Sequence, residues 1–337
     1  MPTFYESWLD RNLLPDWLIR IGIRRLLAQR LKQESLRDPA AWRAAIRVSP
    51  LAIHTVDANI QHYEVPTAFF LKALGPRRKY SCAWYETGNE SLGQAEDAML
   101  VLTCERANLN DGDSILELGC GWGSLSLWMA QQYPNSKIVA VSNSRTQKEF
   151  IDSEALRLGL HHLEVRLADM LHFDPHQTFD RIVSVEMFEH MRNYFELFRR
   201  ISTWLNPGAT LFVHIFTHRQ YAYPFETGQA NDWMAQYFFS GGQMPSDTLL
   251  LEFSDHLKNI AFWRIDGHHY AKTCEDWLRN MDSHENTIRP LFRTCYGADR
   301  ETIWIVRWRV FFLSCAELFA YRKGTEWGVC HYLFQKS

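Results

Sequence analysis

The chain has 337 residues, a formal net charge of −3 and 46 % hydrophobic residues, a composition typical of a large globular protein. No run of about 18 uncharged apolar residues occurs, and the N-terminus lacks the basic start of a secretory signal, so we expect a soluble, cytoplasmic protein. Seven widely spaced cysteines without a C-x-x-C pair argue against a disulfide framework and against a zinc site, and we expect no metal. The near-neutral charge, without a basic stripe of interleaved aromatic residues, argues against a nucleic-acid partner.

Residues 1–75 form a predicted helical extension. Within it Leu18, Ile21 and Leu27 recur at helical spacing among several arginines, which is typical of a basic amphipathic helix. We expect its apolar face to pack on the core and its arginine face to lie in water, with contact to a membrane surface as the alternative.

Residues 76–216 form a predicted α/β core. Short apolar runs of β type alternate in it with helical or turn segments, and strands that alternate with helices form a mostly parallel, Rossmann-like sheet. Such sheets bind ligands at the carboxyl ends of their strands. The predicted strands are 114–118, 137–141, 161–166, 181–185 and 210–216.

The rest of the chain changes character. Residues 217–300 are rich in aromatic residues, Gly, His and Asp and have no long periodic helix, which indicates a lid or substrate-binding insertion. Residues 301–337 read as a helix followed by a strand at 327–334, which would complete the core.

The strongest motif is a strand that runs into a glycine-rich loop: Glu117 is followed by Gly119, Gly121 and Gly123, and a helix is predicted from about Ser124. Glycines allow a sharp turn and a close approach of the backbone to a ligand. The N-terminus of the following helix offers free N–H groups to an anion. This pattern fits S-adenosylmethionine, whose methionine part is a zwitterion, with a nicotinamide dinucleotide as the competing ligand.

Polar residues after the second and third strands favour the methyl donor. A nicotinamide site requires an acid at the end of the second strand, and none is present there. Instead, the amides of Asn143 and Gln147 can hydrogen-bond ribose hydroxyls, although a helix cap at Asn143 or Ser144 is the structural alternative. Asp169 can accept from the adenine amino group while Met170 packs on the ring; a turn-forming Asp is the structural alternative, but the position of Asp169 after the third strand favours the ligand.

With these residues the chain resembles the cyclopropane fatty acid synthase superfamily of S-adenosylmethionine-dependent methyltransferases, most closely its coclaurine N-methyltransferase branch. The resemblance implies a class I methyltransferase fold with a helical N-terminal extension and a substrate-binding insertion. The segments that carry it are 62–66, 79–82, 117–123, 143–148, 186–191, 232–234, 237–246, 269–271 and 316–319.

The resemblance also implies roles for single residues. It places Tyr80 and Ser81 against the donor together with the loop glycines, and it assigns catalysis to Glu186, Glu189 and His190. From chemistry alone, a helix that begins at Glu186 would put all three side chains on one face. An alkylamine is mostly protonated at neutral pH, so carboxylates beside an imidazole can accept its proton and align the free amine. A solvated acidic helix start is the structural alternative.

A lipid substrate is the second possibility. Cyclopropane synthases hold a bicarbonate with a Cys, Glu, His and Tyr set. The residues that match this set are Cys82, Glu189, His214 and Tyr270. However, the position of Glu186 is Gly in those enzymes, which favours an amine substrate. Cys315 aligns with a cysteine once proposed as catalytic there, but it lies in an apolar helix and is interpreted as core packing.

We therefore expect an S-adenosylmethionine-dependent N-methyltransferase that acts on a small aromatic or cyclic amine. The alternative is a lipid-modifying methyltransferase or cyclopropane fatty acid synthase. The sequence leaves the oligomeric state open, with a homodimer as one option. The residues expected to bind the substrate are Trp233, Tyr237, Phe238, His214 and Tyr270, with Phe239, Trp263 and His269 as further candidates.

Overall fold

The structure, a computed structural model, describes residues 8–53, 65–225, 233–239 and 241–336. Its strands, in chain order, are β1 Ser114–Leu118, β2 Lys137–Ser142, β3 Leu163–Leu167, β4 Phe179–Val185, β5 Leu205–His218, β6 Tyr223–Pro224, β7 Gln243–Met244, β8 Leu257–Ile265 and β9 Trp327–Lys336. Seven of them form one sheet in the order β3-β2-β1-β4-β5-β9-β8, which is parallel from β3 to β5 and antiparallel at β9 and β8. The predicted mostly parallel sheet is therefore confirmed.

Helices cover the sheet and extend beyond it. Within the described ranges they are α1 Asp16–Glu34, α2 Pro39–Val48, α3 Thr67–Ala73, α4 Leu92–Arg106, α5 Ser124–Gln132, α6 Arg145–Leu158, α7 Tyr194–Trp204, α8 Trp233–Tyr237, α9 Gly267–Ser283, α10 Glu285–Tyr296 and α11 Glu301–Ala320, with 3₁₀ turns at Phe188–His190 and Leu249–Glu252. Residues 62–64, 232 and 240, from the segments that carry the resemblance, lie outside the described residues.

The centre of the sheet follows directly from the sequence. Ile115, Leu116 and Leu118 of β1 are fully buried, as expected for a strand with helices on both faces. In the parallel register Leu118 lies opposite Val141 of β2 and Ser184 of β4. Because these strands end at the same edge, the loops that follow them lie side by side and form one ligand-binding edge.

The expectation that residues 217–300 lack a long helix is wrong, since α9 and α10 both lie there. The first of them is an amphipathic helix whose His and Asp residues obscured its period. Asp266 caps α9 by accepting from the backbone N–H of His268. The residues of α9 that it buries at helical spacing are Tyr270, Ala271, Cys274, Trp277, Leu278 and Met281. The domain boundaries at 75, 216 and 300 stay predictions.

The N-terminal helix α1 packs on the molecule through its arginine side as well as its apolar side. Arg20 donates to Glu275 of α9 at 2.9 Å and to Glu317 of α11 at 3.0 Å, and these carboxylates raise its pKa. Arg24 also pairs with Glu317. The predicted solvated arginine face is therefore wrong at Arg20, whose side chain is 24 % exposed between two carboxylates, but it holds at Arg24, whose side chain is 60 % exposed. No helix of the described ranges is long and apolar enough to span a bilayer.

Candidate active site

A cavity of about 400 Å³ opens at the carboxyl ends of β1, β2 and β4. Its walls come from the loops at this edge of the sheet, from α1 and α11, and from the segment around α8. It brings together most of the residues predicted to hold the donor. The residues of that set in its wall are Tyr80, Ser81, Glu117, Gly119, Gly121, Asn143, Gln147, Asp169 and Met170.

Two residues predicted to bind the donor lie behind the cavity wall. A Cβ on Gly123 would lie 2.6 Å from the side chain of Ile151, so this glycine allows the loop to pack closely on α6. Ser144 is the N-cap of α6 and accepts from the backbone N–H of Gln147 at 3.4 Å. Both residues support the loops of the site without lining the cavity, because their side-chain positions are used for packing and capping.

The glycine loop forms a cradle at the N-terminus of α5. Gly121 has a φ of +51°, and a Cβ built on it would have no atom within 4 Å, so the backbone is open toward the cavity. The buried indole nitrogen of Trp122 and the hydroxyl of Ser124 have no hydrogen-bond partner among the described residues. Unpaired buried donors at a helix N-terminus suit an anionic group. The cradle therefore fits the carboxylate end of S-adenosylmethionine.

Glu117 lies at the floor of this cradle. Its carboxylate is 2 % exposed and accepts from the hydroxyl of Ser126, and burial raises its pKa to about 7. Nearby, the buried ammonium of Lys79 donates to the hydroxyl of Ser81, and burial lowers its pKa. A ligand ammonium beside Glu117 would favour the ionised carboxylate. The Glu117 carboxylate suits the ammonium group of the donor's methionine part, and the N-terminus of α5 suits its carboxylate. Together they match both charges of this zwitterion.

The loops after β2 and β3 supply polar groups farther along the cavity. Gln147 accepts from the Ser142 hydroxyl at 2.8 Å through its amide oxygen, which leaves its amide N–H groups as donors. Asp169 accepts from the backbone N–H of Leu171 at 2.9 Å, so it forms the turn that was the structural alternative and also lines the cavity. Met170, 8 % exposed, lies next to it in the wall.

Glu186 begins a tight turn at the end of β4. The predicted helix is absent: Glu186 has a φ of +49°, and the following Phe188–His190 is a single 3₁₀ turn. A left-handed conformation costs a residue other than glycine roughly 1–2 kcal/mol. The backbone N–H of Glu186 donates to the carbonyl of His214 at 2.8 Å, which holds this conformation in place. Strain of this kind in a cavity wall is typical of functional sites.

Three groups hold the carboxylate of Glu186. One oxygen accepts from the backbone N–H of Cys82 at 3.2 Å and lies 3.3 Å from Nε2 of His214, and the other accepts from the hydroxyl of Tyr270. Burial nevertheless raises the pKa of Glu186 to about 7. Cys82, His214 and Tyr270, three of the four residues that match the bicarbonate site of the cyclopropane synthases, thus bind a side-chain carboxylate in this chain.

Glu189 and His190 complete this corner of the cavity. Glu189 is 1 % exposed, and one of its carboxylate oxygens has no hydrogen-bond partner among the described residues. Burial and the neighbouring charge of Glu186 hold the pKa of Glu189 well above its usual range. The His190 ring stacks on Phe239 with centroids 5.3 Å apart, and burial lowers its pKa to about 4. The imidazole is therefore neutral at pH 7.

The aromatic residues of the insertion divide into two groups. Trp233, Phe239 and Tyr270 line the cavity. Phe238 does not, because it is fully buried and stacks on Phe311 at 4.5 Å. The ring of Tyr237 lies outside the wall, under a guanidinium 4.0 Å from its centroid.

Three further candidates do not line the cavity. His214 lies fully buried behind the wall, on the far side of Glu186. Trp263 lies under the guanidinium of Arg106 at 5.0 Å. His269 stacks on Trp84 at 4.1 Å. His214 therefore reaches the site only through Glu186, and the rings of Trp263 and His269 make contacts outside the wall, so the structure does not place these three rings in the cavity wall.

The sequence also missed a large part of the wall. Helix α11 faces the cavity, and Cys315, interpreted from sequence as core packing, is half-buried there. The helix is apolar on nearly every side, so its pattern did not reveal which face lines a cavity. The wall residues from α11 and α1 that were not predicted are Ile23, Leu26, Leu27, Gln29, Arg30, Gln33, Phe311, Ser314, Leu318 and Phe319.

The fold and this edge of the sheet together define a Rossmann-like transferase with a methyl-donor cradle beside a corner of buried carboxylates. Among the residues that the structure describes, no group of His, Cys, Asp or Glu side chains is arranged to hold a metal ion. The family described as mycolic acid cyclopropane synthetase matches residues 52–326, and the chain belongs to this family of S-adenosylmethionine-dependent methyltransferases.

Individual relatives divide into two activities. The chain is 38 % identical over 339 residues to (S)-coclaurine N-methyltransferase of Thalictrum flavum subsp. glaucum, covering 97 % of this chain and 94 % of that protein. A crystal structure of coclaurine N-methyltransferase bound to N-methylheliamine and SAH matches with a TM-score of 0.94 and 37 % identity, over 98 % of this chain and 99 % of that one. Identity to the cyclopropane-fatty-acyl-phospholipid synthase of Escherichia coli K12 is 28 %, over 75 % of this chain and 66 % of that protein. The predictions of the fold, the methyl donor and an N-methyltransferase activity are confirmed.

Substitution of Gly121 tests the donor cradle. Gly121→Val should raise the Kd for S-adenosylhomocysteine (SAH) by roughly 10²-fold, because a branched side chain is strained at positive φ and fills the space next to the ligand. At an SAH concentration 100 times the Kd of the native protein, the stabilisation by the ligand should drop from about 2.7 to about 0.4 kcal/mol, measurable as a nearly absent thermal shift. Gly159→Val is the matched control, since Gly159 also has positive φ and open space but ends α6 outside the cavity. A normal shift in Gly121→Val would contradict the placement of the donor.

Proposed function

We propose that this enzyme transfers a methyl group to the nitrogen of a small cyclic or aromatic amine, and that Glu186, Glu189 and His190 receive the amine. One observation carries this proposal: the carboxylate of Glu186 is fixed by three donors beside the unpaired buried oxygen of Glu189. Two carboxylates next to a neutral imidazole suit a substrate ammonium. The structural relative at 37 % identity binds N-methylheliamine, which supports an amine of that general kind.

The proton of the ammonium sets the chemical problem. An alkylamine with a pKa near 10 is about 3 pKa units more basic than Glu186, so transfer of its proton to Glu186 costs about 4 kcal/mol in water-like surroundings. Burial reduces this cost because it disfavours the ammonium, as it disfavours the charged form of His190. The difference of about 3 pKa units already includes the raised pKa of Glu186; a carboxyl group at the ordinary value of 4.5 would be about 5.5 pKa units less basic than the amine. The corner is therefore suited to remove the proton when the substrate is enclosed.

Methyl transfer also requires alignment. When bound, S-adenosylmethionine supplies an electrophilic methyl group for direct displacement, so the amine lone pair must point along the line of attack. Hydrogen bonds from Cys82, His214 and Tyr270 fix the orientation of the Glu186 carboxylate. Aromatic faces such as Trp233 and Phe239 exclude water and favour a cationic substrate. The same wall of the cavity therefore orients the amine and excludes water from it.

The lipid alternative can be separated by a direct assay. The donors that would hold bicarbonate are occupied by Glu186, so we expect labelled methyl groups in cyclic secondary amines and no dependence on added bicarbonate. Vesicles of unsaturated phospholipid, with and without bicarbonate, serve as the competing substrate. Label only in the phospholipid, increased by bicarbonate, would overturn the amine proposal.

A further inference from the structure

A line of hydrogen bonds extends from Glu186 along one face of the sheet, away from the cavity. Behind Glu186, Nδ1 of His214 lies 2.8 Å from Nε2 of His331. Beyond that ring, a guanidinium nitrogen of Arg106 lies 3.0 Å from Nδ1 of His331. Both imidazoles are completely buried, and they are direct cross-strand partners on β5 and β9. The two rings therefore project to the same face of the sheet and form one continuous chain with Glu186.

Arg106 and Glu186, at the two ends of this line, determine which ring nitrogens of His331 and His214 carry the protons. Arg106 can only donate, so Nδ1 of His331 accepts, and its proton is on Nε2. That proton is donated to Nδ1 of His214, whose own proton must then be on Nε2, where it is donated to Glu186. An ionised Glu186 can only accept and leads to the same assignment from the opposite end. Both rings are neutral in this arrangement, in agreement with the burial that lowers their pKa values.

We propose that His331 is a positioning residue for catalysis: it holds His214 in the tautomer that donates to Glu186, and Arg106 holds His331 in turn. This inference rests on the proposed role of Glu186. His331 touches neither donor nor substrate, since it lies outside the cavity wall. It acts by setting the direction of two hydrogen bonds, the one from His331 to His214 and the one from His214 to Glu186.

Loss of the hydrogen bond between His331 and His214 should shift the pKa of Glu186 in one direction. Without a partner on Nδ1, His214 can place its proton there and present a lone pair to Glu186 in place of an N–H. A carboxylate that loses a donor has a higher pKa, so the form able to accept a proton appears at higher pH. The other titratable groups that face Glu186 remain unchanged. They are Lys79, Cys82, Glu189, His190 and Tyr270.

The first test is the pH profile of His331 variants. His331→Phe keeps a ring against Phe212 but has no nitrogen, so the acidic limb of kcat should move up by about one pH unit and kcat at pH 7 should fall about fivefold. The KM for the methyl donor should not change. His331→Gln retains an N–H donor, so its acidic limb should lie closer to that of the native enzyme. Arg106→Leu should also move the limb to higher pH, but by less than His331→Phe does.

A matched control separates this role from ordinary stability. His218, on β5, is fully buried as His331 is, but it stacks on Tyr221 and lies outside the cavity wall. His218→Phe should lower the melting temperature without moving the limb. If His331→Phe behaves in the same way as His218→Phe, His331 is structural only and the inference is wrong.

The second test does not depend on activity. In ¹⁵N-histidine spectra of the full chain with SAH bound, both His214 and His331 should show the neutral Nε2–H tautomer from pH 6 to 9. Arg106→Leu should give a mixture of tautomers at His331. A charged ring at pH 7, or Nδ1–H at either position, would overturn this inference. If the tautomers are as expected but no amine is methylated, the proposed function fails and the hydrogen-bond assignment stands.

Discussion

Glu186→Gln is expected to lower kcat for the amine substrate by roughly 10²–10⁴, the range for loss of a general base. Glutamine has the same shape and can still accept from Cys82 and His214 through its amide oxygen, so the turn should persist. It cannot take up a proton. Binding of SAH should be unchanged, since the cradle is formed by other residues. Single-turnover measurements at saturating donor would give the rate of the chemical step.

The matched control is another buried carboxylate. Glu96 accepts from the backbone N–H groups of Arg77 and Lys79, and burial raises its pKa to about 7, as for Glu186, but it lies outside the cavity wall. Glu96→Gln should cost stability and leave the chemical step intact. Cys82→Ala should also retain activity, because Cys82 contributes its backbone N–H and not its thiol. A critical Cys82 with a dispensable Glu186 would instead support the lipid reaction.

The donor side of the site was predictable because its signals are local. A buried strand, a turn that requires positive φ and a helix N-terminus all lie between Glu117 and Ser124. Parallel strands bring the ends of β1, β2 and β4 together whatever the rest of the chain does. Seven of the nine donor residues found in the cavity wall follow from the glycine loop and the strand ends, whereas Tyr80 and Ser81 were predicted only from the family resemblance. Gly123 and Ser144 differ because packing and capping use the same residue types as ligand binding.

The part of the site that receives the amine depends on tertiary contacts, which the residue pattern of the sequence does not encode. Phe238 and Phe239 are neighbours, but one is buried under α11 and the other faces the cavity. His331 reaches His214 only because β9 inserts beside β5, across 117 positions of the chain. The left-handed conformation of Glu186 has no sequence signal, since glutamate rarely adopts it. These features become visible only when the strands and helices are placed together.

The dependence of kcat/KM on pH tests which group accepts the proton. Glu186 has a pKa raised to about 7, so the accepting form is lost below that pH, and kcat/KM should fall about fiftyfold from pH 7 to pH 5. Above about pH 8 it should be level until the free substrate loses its own proton. The upper limb should therefore move with the pKa of the amine across a series of substrates.

His190 provides the discriminating variant for this profile. Its pKa is lowered to about 4, so the imidazole is already neutral throughout the acidic limb and cannot be the group that titrates near pH 7. His190→Ala should lower the rate and keep the limb, whereas Glu186→Gln should remove or displace it. Rates measured from pH 5 to 10 with amines of differing pKa decide whether Glu186 or His190 accepts the proton. Product release must first be excluded as the slow step. A limb that disappears in His190→Ala would assign the proton to the imidazole. A profile independent of the amine pKa would leave alignment as the whole role of this corner.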